Sequence, residues 1–169
     1  MGVSPWPDDY RVLDLPWEKR GKRMDEMIEV LRGLWTGEYY AHPQNAFWPI
    51  MRELVGADGS YAARCATLIE AHIAVWDVLR QSVRPGSMDA DIRLDTSEAN
   101  DFAGFLSQHR GVEKICFNGR KAEEMFRRFV CPKALQWPLR FELLPSTSPA
   151  YASMPFNEKL RRWRSSIAA

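Results

Sequence analysis

The sequence predicts an α/β domain, a three-layer α/β/α arrangement around a central, mostly parallel four-stranded sheet. Short runs of strand-forming residues are each separated from the next by segments of helical period. Such spacing requires crossover connections and therefore parallel neighbours, with helices on both faces. A chain of 169 residues, 46% hydrophobic and 27% charged, suits one core, so residues 1–169 are expected to form a single domain with an atypical segment over 1–38. Eleven prolines and ten glycines divide it into short units.

The elements follow in order. Tyr10 to Leu15 (YRVLDL) alternates β-branched and long apolar residues, and Pro16 closes it as a short strand. After the basic stretch Glu18 to Arg23, Met24, Met27, Ile28, Leu31, Leu34 and Trp35 fall on one helical face, and Gly37 ends it. Tyr39 to Trp48 (YYAHPQNAFW) reads as an aromatic loop broken by Pro43, and Pro49 to Val55 as a turn or two of helix before Gly56. Ser60 can cap a helix from Tyr61 to about His72. Ile73 to Leu79 (IAVWDVL) has the length of a buried strand, and a polar loop, RQSVRPGSMDADIRLDTS, follows. Asn100 to Gln108 is a helix with Phe102, Phe105 and Leu106 inward. Glu113 to Asn118 is a strand, and Gly119 leads into a helix carrying Ala122, Met125, Phe126 and Phe129. Leu139 to Leu144 is the last strand, stopped by Pro145, and Asn157 to Ser165 is a basic helix.

Lysine plus arginine is 23 against 22 acidic residues, a formal charge of +1. That balance excludes a wholly basic DNA-coating protein and an acidic solvating tail, so a nucleic-acid site must be a local patch on a neutral body. No apolar run approaches the roughly 18 residues of a membrane span, and MGVSPWPDDY lacks the pattern of a signal peptide. The expectation is a soluble, cytoplasmic monomer with no membrane partner. The three cysteines, Cys65, Cys116 and Cys131, form no CxxC and no even framework, and each is expected to be a small buried apolar residue. His42, His72 and His109 show no HxxxH spacing, so neither a metal nor a cofactor is expected.

In parallel α/β sheets the ligand site lies beyond the carboxyl ends of the strands. YYAHPQNAFW, WDV, FNG and LPSTSP all stand at or shortly after expected strand ends, so they can converge on one pocket. In YYAHPQNAFWPI, IAVWDVLRQSVRPGSMDADI, ICFNGRKAEEMF and LPSTSPAYASM the chain resembles the uracil-DNA glycosylase superfamily, and most of all its hypoxanthine-DNA glycosylase (DNA-deoxyinosine glycosylase) branch. The blocks run in the right order from about Tyr39 to Trp163, roughly three quarters of the chain.

The resemblance implies a uracil-DNA glycosylase-like fold and a monofunctional DNA repair glycosylase without a cofactor. Its substrate would be DNA carrying a deaminated base, hypoxanthine first and uracil second. Such an enzyme extrudes the nucleotide, holds the base, and hydrolyses the N-glycosidic bond. Tyr40 then corresponds to the aromatic wall against the extruded base; packing in the core is the other reading. Asn45 corresponds to the catalytic asparagine, whose amide can orient water although it cannot take a proton as a carboxylate does. It could equally cap the helix that follows. Asp77 falls where a base-reading residue is expected and could instead cap a turn. Asn118 could bind the base or support the turn before Gly119. His42 is a candidate donor to DNA or an ordinary loop residue. Ser146, Thr147 and Ser148 resemble the loop that grips phosphates in the minor groove, and a Ser/Pro surface turn looks similar. Lys159, Arg161, Arg162 and Arg164 form a basic stretch that is either a solvated face or a backbone contact.

The resemblance departs in one place. A glycine-containing loop of the G-S-x-P-G kind should follow the first strand, and Pro16-Trp17-Glu18-Lys19-Arg20-Gly21 stands there instead. The alternative reading is therefore a catalytically weak or silent nucleic-acid-binding domain of the same fold. A hydrolase of small nucleosides would need neither LPSTSP nor the basic tail. A lyase step is not expected, because the motifs that carry the resemblance place no lysine in the pocket.

Overall fold

The computed structural model describes residues 38–83, 92–130 and 139–167. Helices α1 (Phe47–Val55) and α2 (Tyr61–Glu70) come first, followed by strands β1 (Leu79–Val83) and β2 (Arg93–Ala99). Helix α3 (Phe102–Gln108), β3 (Lys114–Asn118), α4 (Arg120–Phe129), β4 (Arg140–Leu144) and α5 (Phe156–Ile167) complete the described chain. The expected strand Tyr10–Leu15, the helix of Met24 to Trp35 and the loop replacing the first motif lie outside the described residues.

Local chemistry sets the helix ends. Gly56, at φ 76°, stops α1 and returns its N–H to the Arg52 carbonyl. The Ser60 hydroxyl accepts from Ala63 N at 3.2 Å to start α2, as expected. Asp101 does the same for α3 through Gly104 N, at 2.8 Å.

Strands β3 and β4 are parallel and in continuous register, from Lys114 opposite Arg140 to Asn118 opposite Leu144. Alternation along the pair sends Phe117 to one face and Leu144 to the other. Phe117 packs with Phe102, Leu106 and Phe126 of α3 and α4, whereas Leu144 packs with Phe47, Ile50, Met51 and Trp163 of α1 and α5. Helices thus cover both faces of this pair, as the sequence predicts.

The central four-stranded sheet is not formed among the described residues. They hold two separate two-stranded sheets, β3–β4 and the antiparallel β1–β2. Ile73 to Asp77 is not a strand. Its apolar side chains pack without a ladder: Ile73 and Val75, half-buried, against the first core, and Trp76, 38% exposed, against the Phe102 and Phe105 rings. The polar stretch after it is not all loop. Leu79–Val83 and Arg93–Ala99 pair across it, with an Arg80–Glu98 ion pair at 2.8 Å joining the strands.

The cysteine expectation is also corrected. Cys65 is half-buried, and Cys116 is exposed because alternation directs its neighbour Phe117 into the core. Its sulfur lies 3.5 Å from the Ser166 hydroxyl. Cys131 lies outside the described residues. Among the described residues no helix is long and apolar enough to cross a membrane.

Candidate functional site

Because β3 and β4 are parallel and end level, the residues that follow them meet. Gly119 donates its N–H to the Leu144 carbonyl at 3.1 Å. Its φ is 95°, and a Cβ there would stand 2.9 Å from the Ser146 Cβ. Only glycine fits both the conformation and the approach.

Asn118 organises the junction. Its Nδ2 donates to the Thr147 hydroxyl at 2.8 Å and to the Tyr40 hydroxyl at 3.1 Å, and its Oδ1 accepts from Thr147 N at 2.9 Å. Both amide hydrogens are engaged within the protein. Thr147, 1% exposed, extends the chain of bonds by accepting from Ala46 N at 2.9 Å through its carbonyl. One threonine therefore ties together the loop before α1, the end of β3 and the loop after β4. Alone among these bonds, the support of the turn by Asn118 follows one of its two sequence readings.

Tyr40 has a left-handed backbone, φ 57°, and its ring stacks on Phe47 with centroids 4.2 Å apart. Asn45 is 3% exposed, and its Oδ1 accepts from Phe47 N at 3.0 Å, which anchors the carboxamide at the start of α1. His42 is 7% exposed and turns inward, its Nδ1 accepting from Gln44 N at 3.1 Å. In the neutral ring the proton then sits on Nε2. Ser146 Oγ accepts from Ser148 N and Ser148 Oγ from Ala150 N, each at 3.2 Å, so both hydroxyls shape the loop.

Asn45 and Ser148 line one cleft of about 390 Å³, with Pro43, Pro149, Tyr151 and Lys159. That volume lies within the span of small-molecule sites, about 300–1,000 Å³. Asp77 does not end a strand, since β1 begins two residues later. It is exposed and bonds the Tyr39 hydroxyl, whose pKa is raised chiefly by burial and then by the Asp77 charge. The Asp77 carbonyl accepts from Asn100 Nδ2 at 2.8 Å.

The basic last helix is not one solvated face. Arg161 and Arg162 both bind Glu158, at 2.7 and 2.8 Å, and the Arg161 hydrogen bonds foremost hold that carboxyl down to about 2. Lys159 is 6% exposed and forms part of the cleft wall, and burial lowers its pKa. Lys159 lies outside the motifs that carry the resemblance, and it is a lysine on this cleft. The signal was present in the spacing: Lys159, Trp163 and Ser166 share one buried face of α5.

A mixed α/β chain whose loops converge beyond a parallel strand pair, carrying these blocks in this order, is similar to the hypoxanthine-DNA glycosylase branch of the uracil-DNA glycosylase superfamily. Two curated relatives bear that name. Hypoxanthine DNA glycosylase of Methanosarcina acetivorans is 37% identical over 90 residues, 52% of this chain and 56% of that protein. Its namesake in Methanosarcina barkeri is 31% identical over 90 residues, with the same shares. The match spans about half the length of each. A stretch of 40 residues is 58% identical to an uncharacterized protein of Mycobacterium tuberculosis, covering 14% of it. No family model matches the chain, and no solved structure does.

Proposed function

We propose that the chain is a DNA glycosylase that hydrolyses the N-glycosidic bond of a deaminated base in DNA, hypoxanthine first and uracil second. The observation that carries this reading is the placing of Asn45 and Ser148 on one cleft. The names of the two Methanosarcina relatives support the class of reaction.

The roles in this reading are these. The Asn45 carboxamide, anchored through Oδ1 to Phe47 N, is held in one orientation and positions the attacking water by hydrogen bonding. The Ser146 and Ser148 hydroxyl protons suit flanking phosphates without reading sequence, while Thr147, buried and bonded to Asn118, fixes the shape of their loop. Tyr40, Asn118 and Asp77 do not line that cleft; Asn118 joins Tyr40 to Thr147 next to it, and Asp77 bonds Tyr39. His42, buried and bonded through Nδ1 to Gln44 N and through its carbonyl to Asn45 N, holds the loop that carries Asn45.

The test is Asn45→Ala, with the single-turnover rate on a deoxyinosine duplex and the melting temperature measured together. Water positioning predicts a rate loss of roughly 10² to 10⁴ with DNA affinity nearly unchanged. A cap alone predicts about 1 kcal/mol of lost stability and an intact rate. A wild type inactive on both deoxyinosine and deoxyuridine duplexes while still binding DNA favours the silent binding domain instead.

A further inference from the structure

We propose that Lys159 forms an imine with the aldehyde of an abasic sugar and gives the protein a strand-cleaving lyase step. The proposal rests on the reading of the cleft as a DNA site.

Lys159 stands in the wall that also holds Asn45 and Ser148, yet it is almost wholly removed from water. Its Nζ donates to the Tyr151 carbonyl at 2.8 Å and lies 5.1 Å from the centroid of the Tyr151 ring. Among the described residues it forms no ion pair with a carboxylate, whereas Arg161 and Arg162 beside it share Glu158. It sits in the first turn of α5, where the helix dipole disfavours a cation. Pro43, Pro49, Met154 and Phe156 contribute apolar surface to the same cleft. Burial without a carboxylate partner works against the ammonium that the Tyr151 carbonyl and ring favour, and a neutral primary amine attacks carbonyls. The direction in which burial moves its pKa agrees.

Hydrolysis of the glycosidic bond leaves an abasic sugar whose ring-opened form carries an aldehyde at C1′. The Lys159 nitrogen adds to C1′, the aldehyde oxygen departs as water, and a protonated imine forms. The imine acidifies C2′, whose proton passes to water as the C3′–O bond breaks and the 3′ phosphate leaves. Water then hydrolyses the imine and restores the amine. An ammonium that merely anchored a phosphate would form no covalent bond and would tolerate arginine.

The experiment gives the full chain a duplex with a preformed aldehydic abasic site, with and without sodium borohydride. No base excision is needed, so a failure here is separate from a failure on deoxyinosine. The expected result is a borohydride-trapped adduct that peptide mass mapping places on Lys159. Without reductant, the abasic strand is cut above the protein-free control. In K159R, checked for folding by its melting curve, both products fall at least about tenfold. Absence of the adduct or of cutting in the wild type, an adduct on another residue, or persistence of either product in K159R overturns the proposal.

Discussion

Asn118→Ala would cut the knot beyond β3 and β4. It removes two donated bonds, at 2.8 and 3.1 Å, and one accepted bond, at 2.9 Å. Each hydrogen bond contributes about 0.5–1.5 kcal/mol net, and the Thr147 N–H is left buried without its acceptor. The sum is a destabilisation of about 2–4 kcal/mol. At roughly 2–4 °C per kcal/mol for a domain of this size, the melting temperature should fall by roughly 5–15 °C. Thr147→Val keeps the shape and the backbone bonds but deletes the hydroxyl, and should cost about 1–2 kcal/mol. Because the two side chains share a bond, the double mutant should be less destabilised than the sum, by about 1 kcal/mol. Thermal or urea unfolding of the four proteins measures this coupling. Additivity within about 0.5 kcal/mol, or an Asn118→Ala melting temperature within about 2 °C of wild type, would refute the reasoning.

Gly119→Ala forces a side chain onto φ 95° and into the Ser146 Cβ, so it should lose at least about 1–3 kcal/mol in the same assay. Glu158 has its carboxyl lowered from 4.5 to about 2, so its contribution is complete above 4.5 and is lost as pH falls toward 2. The melting-temperature gap between wild type and Glu158→Gln should close across that window, and also in high salt; a pH-independent gap contradicts the ion triad. Binding to duplex DNA should weaken at least about tenfold between roughly 50 and 200 mM salt, as phosphate contacts require, and a flat titration would count against a DNA substrate.

What the sequence disclosed was local. Ser60 as a cap, Gly56 and Gly119 as breaks, and β3 and β4 all follow from rules that act over a few residues. The loop blocks were legible as neighbours because strand ends collect ligands. Ile73 to Asp77 misled because an apolar run of strand length can also lie half-buried as an irregular segment against the core. The β1–β2 pairing was missed because its strands are polar and exposed, with no alternation to reveal them. Lys159 was grouped with its arginine neighbours by charge, although its spacing to Trp163 places it on the inward face. Asn118 bridging two loops from the end of β3 had no sequence signature, since its partners Tyr40 and Thr147 lie 78 and 29 positions away.

The bond from Ala46 N to the Thr147 carbonyl has a consequence for the order of synthesis. Its two ends are about a hundred residues apart, and chains grow at about 5–20 residues per second. For roughly 5–20 s, then, a nascent chain carries Ala46 without the Thr147 carbonyl that accepts its N–H. Tyr40, at φ 57°, is in a backbone state that an isolated tyrosine rarely adopts. Its hydroxyl partner, Asn118, is itself bound to Thr147, which follows only when the strand carrying Leu144 has been made. A growing polypeptide stalled before that point lacks Thr147, and the last strand to emerge brings the residue that ties the loop before α1 to the strand ends.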